Sequence, residues 1–197
     1  MKRGLFIVFE GVDRSGKTTQ AERLADALRT TSNVLCLRFP NRDTPTGQLC
    51  SAYLRNELQL NNQAAHMLFS TNRWEANEKI KAWLDEGNVI VCDRFTHSGI
   101  AYSTAKGVDL NWCKKADNGM VAPDIVIYLR VDASHAARRA QYGAERFEQV
   151  EFQRKVSAVY ENKLLKPDWI VVDGSQPPDV VATKILAAVA PHTKTKQ

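Results

Sequence analysis

The chain has 197 residues, 44% apolar and 25% charged, a composition that excludes disorder, collagen and coiled coil and leaves length for one sizeable core. Lys and Arg number 27 against 22 Asp and Glu, a net charge of +5; that modest excess suits a small polyanionic ligand and does not require nucleic acid. The uncharged run Gly4–Phe9 is far shorter than the roughly 20 residues a bilayer demands, and Glu10 and Asp13 interrupt it too early for a signal peptide.

In chain order, continuous apolar runs at Leu5–Phe9, Val34–Phe39, Val89–Cys92, Ile125–Val131 and Trp169–Val172 predict strands covered on both faces, as in a parallel sheet. Between them, helical periods predict helices at Thr18–Arg29, Gly47–Glu57, Ala64–Glu86, Leu110–Asn118 and Glu148–Leu165, with a last one at Asp179–Val189. A short helix over Ser98–Thr104 follows the third strand. Gly87 and Pro123 stand before strands, where they should stop the preceding helices. This βα rhythm, with no linker or repeat, predicts one α/β domain over residues 1–197 with a five-stranded parallel sheet flanked by helices. The tail from Pro191 onward is expected to fray. Cys36, Cys50, Cys92 and Cys113 form no CxxC pair and read as reduced, buried thiols of an intracellular protein.

Gly11-Val-Asp-Arg-Ser-Gly16-Lys17-Thr18 fits the pattern GxxxxGKS/T, after a strand and before a helix. Glycines let the backbone wrap a phosphate, successive N–H groups point inward, and the helix N-terminus adds positive potential. Lys17 would reach the β- and γ-phosphates and the Thr18 hydroxyl would ligate Mg²⁺, so the chain is expected to bind a nucleoside triphosphate. A guanine-reading NKxD is absent, since Asn162-Lys163 is followed by two leucines. The small size and the many arginines point to a nucleotide or nucleoside kinase.

Asp93-Arg94 closes the third strand, beside the ligand crevice of a parallel sheet. Asp93 would orient Mg²⁺-bound water or the P-loop, and Arg94 would neutralise phosphate; a plain strand-end salt bridge fits the same pair. Phe39-Pro40-Asn41-Arg42 ends the second strand and brings Arg42 to the same sheet edge. Phe69 and Arg73 lie one helical turn apart, which fits an aromatic ring and a guanidinium reading a base, or equally a core phenylalanine beside a solvated arginine. His66 and Trp74 read as packing residues. Residues 133–148 carry Arg138, Arg139 and Arg146 around Gln141-Tyr142-Gly143, either a lid that excludes water or a charged surface turn.

Several strings together resemble the thymidylate kinases of eukaryotic type. They are Phe9-Glu-Gly-Val-Asp-Arg-Ser-Gly-Lys-Thr-Thr-Gln20, Phe39-Pro40, Leu68-Phe-Ser-Thr-Asn-Arg-Trp-Glu75, Asp93-Arg-Phe-Thr-His-Ser-Gly99, Trp112-Cys-Lys114 and Pro123-Asp124. The resemblance implies transfer of a phosphoryl group from ATP to dTMP, with Mg²⁺. It implies Gly11, Arg14, Ser15, Gly16, Lys17, Thr18 and Thr19 around the ATP phosphates and Arg139 on the adenine. For dTMP it implies Phe69 on the thymine ring, Arg73 on its O4 edge, Asp13 on the sugar 3′-hydroxyl, and Arg42 and Arg94 on the acceptor phosphate. Tyr102 would fill the space of a 2′-hydroxyl, with Phe39, Ser98, Gly99 and Gln153 also lining the acceptor. Arg14, Lys17, Asp93 and Arg94 would be the catalytic set, Arg14 marking the branch that carries its catalytic arginine in the P-loop. A homodimer through the long central helix and a cytoplasmic location, with the nucleus left open, are also implied. Asn41 stands where similar proteins commonly have Glu, and Phe95 and Phe147 where they commonly have Tyr. A deoxynucleoside kinase and an ATP-binding module associated with nucleic acid are the rival readings; a carboxylate base is missing for the first and a basic stripe for the second.

Overall fold

The computed structural model describes residues 3–138 and 145–194. Among them the strands β1 (Phe6–Glu10), β2 (Val34–Arg38), β3 (Val89–Asp93), β4 (Ile125–Arg130) and β5 (Ile170–Asp173) form one parallel sheet in the order β2-β3-β1-β4-β5. The helices are α1 (Lys17–Leu28), α2 (Pro45–Leu54), α3 (Asn62–Asp85), α4 (Thr96–Ala105), α5 (Leu110–Ala116), α6 (Ala133–Ala137), α7 (Val150–Val159) and α8 (Pro178–Lys194).

The continuous apolar runs have the expected meaning for the three inner strands. Ile7 and Phe9 of β1, Val91 of β3 and Ile127 of β4 face a core shared with α1 and α8. Their alternate neighbours point the other way: Phe6, Val8, Ile90 and Cys92 pack with Ile80 and Leu84 of α3, while Val126 and Tyr128 pack with Ile100 of α4 and Val156 of α7. Period-two alternation thus serves two cores at once, and no polar face remains. β2 and β5 depart from the expectation, because they lie at the sheet edges and are only partly covered. Cys36 on β2 is accordingly exposed and not buried, whereas Cys50, Cys92 and Cys113 are buried thiols; all four are free.

Several boundaries also differ, among them α2, which spans Pro45–Leu54 and not Gly47–Glu57. α5 ends at Ala116, well before Pro123, in a turn that contains left-handed Gly119. The helix expected to reach Leu165 changes pitch, with Leu165 N–H donating to Tyr160 O at 2.8 Å, one π-helical turn over Tyr160–Leu164. α8 continues through Pro191 to Lys194, past the point where the tail was expected to fray, although the proline removes one backbone donor from the helix.

The order of strands places the chain's reversal at β1: from β1 the sheet grows to β3 on one side and to β4 on the other. Ligands of open α/β sheets bind in the crevice outside such a point, and the loop that leaves β1 there is Gly11–Gly16.

Candidate nucleotide-binding and phosphoryl-transfer site

The P-loop turns through backbone conformations that only certain residues tolerate. Gly11 (φ 145°) comes so close to β4 that a Cβ would stand 2.7 Å from Leu129 O, and Gly16 (φ 98°) caps α1 without a side chain. Arg14 (φ 59°) and Arg94 (φ 70°) are also left-handed, although neither is glycine, and such local strain gathers at sites of function.

A cavity of about 460 Å³ opens beside this loop. Asp13, Arg14, Gly16, Lys17, Thr18 and Thr19 form one wall, and Phe39, Arg42, Asp93, Arg94, Ser98, Gly99 and Tyr102 contribute from the ends of β2 and β3 and from α4. Phe69 and Arg73 complete it from α3, so the i,i+4 pair does face the cavity. A second cavity of about 440 Å³ lies across Gly16 and Thr19, bounded by Ser15 and by Gly174–Pro178 after β5. Arg139 lies outside the described residues, as does the middle of the 133–148 segment.

Charges in the first cavity are paired in a definite pattern. Arg94 donates to Asp13 Oδ1 at 2.5 Å, to Gly11 O at 3.0 Å and to Ser98 Oγ at 3.0 Å. Gln153, wholly buried on α7, donates to Asp13 Oδ2 at 2.7 Å and accepts from Asp13 N–H at 2.8 Å. Arg14 Nε donates to Glu148 at 2.6 Å, and Arg42 to Glu145 at 2.6 Å. Two acidic residues on the far side of the 139–144 segment therefore hold two arginines of the cavity. The Lys17 ammonium donates to Val12 O at 2.5 Å and Ser15 Oγ at 3.1 Å. Burial, with Arg94 nearby, pulls its pKa from 10.5 down to about 7, against the opposing pull of Asp93, Asp13 and Glu10.

Sequence reasoning passed over Glu10, a fully buried carboxylate at the end of β1. It accepts from the N–H of Phe95 (3.0 Å) and of Ser98 (3.2 Å), from Ser98 Oγ (2.6 Å) and from Tyr160 Oη (2.8 Å). The carboxylate thus caps the N-terminus of α4 from another strand and fixes Ser98, which in turn accepts from Arg94. A lone charge ending a wholly apolar strand was the available signal. Lys106 was also missed; it lines the cavity between the rings of Tyr53 (5.6 Å) and Phe147 (5.3 Å), and burial, then Arg146, lowers its pKa to about 8. Arg146 itself donates to Tyr53 O and Leu58 O, gripping the end of α2.

The departures at aromatic positions are absorbed by packing. Phe95 is buried against Phe6 and Phe39, and Phe147 stacks on Phe152 at 5.1 Å. Asn41 is held through its backbone by the Asn72 amide. His66 packs as expected, bonded to Ser103 Oγ and Cys113 O.

Thr18 Oγ1 donates to Asp93 Oδ2 at 2.5 Å, and Asp93 Oδ1 is buried with no hydrogen-bond partner. Two hard oxygen groups, one of them unsatisfied, beside a phosphate loop fit Mg²⁺, which takes few protein ligands and keeps phosphate and water oxygens. No cluster of three His, Cys, Asp or Glu exists among the described residues, so a metal caged by protein alone does not fit.

A parallel sheet with a P-loop at its reversal point, and two cavities meeting across that loop, defines a P-loop nucleotide kinase. A family model described as thymidylate kinase matches residues 9–185. The thymidylate kinase of Dictyostelium discoideum is 43% identical over 187 residues, covering 94% of this chain and 84% of that protein. That of Homo sapiens is 38% identical over 203 residues, covering 100% and 95%. A solved thymidylate kinase from Candida albicans superposes with a TM-score of 0.88 at 35% identity, covering 97% of this chain and 93% of that one. The chain belongs to the thymidylate kinase family.

Proposed function

We propose that this protein transfers the γ-phosphoryl group of ATP to dTMP, giving ADP and dTDP. The observation that carries this reading is the 460 Å³ cavity joined to the P-loop, where Arg42 and Arg94 accompany Phe69 and Arg73. The first pair suits a phosphate and the second a pyrimidine. The 440 Å³ cavity across Gly16 and Thr19 suits the donor base.

The acceptor is a phosphate oxygen that is already anionic, so no general base is needed. The bond from the γ-phosphorus to the β–γ bridging oxygen breaks, and a bond from that phosphorus to a dTMP phosphate oxygen forms. Catalysis consists of bringing two polyanions into line and stabilising charge on the moving group. In this reading Lys17 and the amides of Gly11–Thr19, Ser15 included, hold the donor phosphates, while Arg14 and Arg94 span donor and acceptor. Asp13, Tyr102 and Gln153 line the sugar. Thr18 and Asp93 would hold Mg²⁺, directly and at one remove, and the ion supplies charge neutralisation when bound.

Asn41 offers an amide where a nucleoside kinase would need a carboxylate base, and the basic groups gather around one cavity instead of forming a stripe for nucleic acid. Both features support a nucleotide acceptor. Met67 and Trp74, seven residues apart on α3, are among the exposed large apolar side chains, which supports a homodimer through this helix. No helix among the described residues is long and apolar enough to cross a membrane, and a cytoplasmic site of action accords with four free cysteines. ATP turnover in a coupled ADP assay tests the proposal: it should depend on dTMP, and turnover indifferent to dTMP would oppose it.

A further inference from the structure

The arginine placed on the base edge has a partner that no feature of the sequence singled out. Asp117 follows α5 directly, and its carboxylate and the Arg73 guanidinium are each only 3% exposed. Arg73 Nη2 donates to both oxygens of Asp117, at 2.9 and 2.7 Å. One nitrogen therefore takes the whole carboxylate. Nε is buried with no hydrogen-bond partner, and among the described residues the guanidinium's hydrogen bonds run from Nη2.

The opposite side of the guanidinium is closed by α4. A Cβ on Gly99 would lie 2.7 Å from Nη2, 2.9 Å from Nη1 and 3.1 Å from Cζ. The group thus lies flat against bare backbone, in a slot that only a glycine leaves open. From α3, Ser70 Oγ donates to Asp117 Oδ1 at 2.6 Å and Trp74 Nε1 to Ala116 O at 2.9 Å. Ser70, Arg73 and Trp74 share one face of α3 and together grip the end of α5.

A carboxylate at a helix C-terminus opposes the helix dipole, and burying it is costly unless it is paired. Tethering α5 to α3 does not need a charge, since Trp74 already makes that tie with a neutral bond. We propose that Asp117 is a positioning residue for base choice: with Gly99 it locks the Arg73 guanidinium in one orientation, leaving Nη1 as a directional donor toward an acceptor on the pyrimidine edge. The pairing also cancels the arginine's charge, so the slot favours a neutral base edge over an anionic group. This inference rests on the dTMP kinase reading and adds to it the device that makes the edge selective.

A locked donor rejects cytosine, whose amino group presents hydrogens where thymine presents O4; a site built this way can discriminate by roughly 10⁴. An arginine free to turn away would lose the thymine contact and tolerate the amino group, so both effects narrow the ratio. The test compares kcat/KM for dTMP and dCMP in wild type, Asp117→Asn and Gly99→Ala. Asn keeps the shape but puts an amide donor or a lone acceptor against Nη2, and Ala displaces the guanidinium from the other side with Asp117 intact. The dTMP/dCMP ratio should fall at least tenfold in either folded variant. A purely structural Asp117 would lower melting temperature and both activities together, and an unchanged ratio in folded Asp117→Asn overturns the inference. If that variant fails to fold, an unchanged ratio in folded Gly99→Ala overturns it instead. A wild type that does not phosphorylate dTMP overturns the kinase reading and this inference with it; a selective wild type with an equally selective Asp117→Asn overturns this inference alone.

Discussion

Asp13 and Gln153 exchange two hydrogen bonds, N–H to Oε1 at 2.8 Å and Nε2 to Oδ2 at 2.7 Å, and so fasten the P-loop to a helix 140 positions further along the chain. The Tyr102 hydroxyl donates to the same Oε1 at 3.3 Å, while its ring lies 5.4 Å from the Arg94 guanidinium. Tyr102 thus stands between the two groups assigned to the sugar and the phosphate. Tyr102→Ala should admit a 2′-hydroxyl and narrow the preference for deoxy- over ribo-TMP, measured as kcat/KM, at least tenfold, or about 1.4 kcal/mol. Tyr102→Phe keeps the ring and should leave that ratio in place. Parallel losses with both sugars in the alanine variant would make Tyr102 a packing residue only.

Arg14 offers a substitution that the backbone accepts. At φ 59° glycine is at ease, so Arg14→Gly should fold. Removing a charged donor that acts as the phosphoryl group moves typically costs roughly 10²–10³ in kcat, with a much smaller change in ATP affinity. Near-normal turnover would shift the role to Arg138 and Arg146 of the 133–148 segment.

Lys17 should make nucleotide binding a proton-linked event. Its folded pKa of about 7 is below the ordinary 10.5, so at about pH 8 the free protein holds it mostly neutral, and bound phosphates should return its charge with uptake of up to about one proton. At about pH 6 the lysine is already charged, and uptake from this group should vanish. The sign for stability follows from the same shift: between about 7 and 10.5 the unfolded chain binds the proton and the folded one does not, so Lys17's contribution to stability rises with pH across that window. Calorimetric titration of ATP in buffers of different ionisation enthalpy measures the uptake. Proton release at about pH 8 would contradict the assignment.

Glu10→Gln replaces an acceptor with an amide whose nitrogen faces either two backbone N–H groups or two hydroxyls. One buried group is then left poorly matched, which costs about 1–3 kcal/mol. Urea denaturation should show that loss, and kcat should fall with it because Ser98 and Arg94 are held through this carboxylate. An unchanged midpoint and turnover would mean the network around Glu10 is dispensable.

The inner strands were legible because a strand buried on both faces must be apolar throughout, as Phe6–Phe9 and Ile125–Leu129 are. The edge strands carry the same signal, since Val34–Leu37 is equally apolar in sequence, and only the pairing order reveals that Cys36 faces outward. The P-loop was legible because its chemistry is local, eight consecutive residues with glycines where the turn needs them. Asp117, Glu10 and Glu148 were not, because each acts by meeting an arginine or a helix end that is distant in sequence, and nothing near them in the chain encodes the partner. The left-handed turns at Arg14 and Arg94 were hidden for a related reason: the surrounding structure imposes them, and neither residue type announces them.

The most direct measurement is coupled ADP release with dTMP, dUMP, dCMP, dGMP and thymidine compared side by side under one set of conditions. dTMP should be the best acceptor and dUMP a poorer but real one, the missing methyl costing about 1–3 kcal/mol. Almost no turnover is expected with dCMP or dGMP, and none with thymidine, because Asn41 offers an amide where a nucleoside kinase would need a carboxylate base. Thymidine turned over faster than dTMP, or dCMP turned over as well as dTMP, would contradict the dTMP kinase reading.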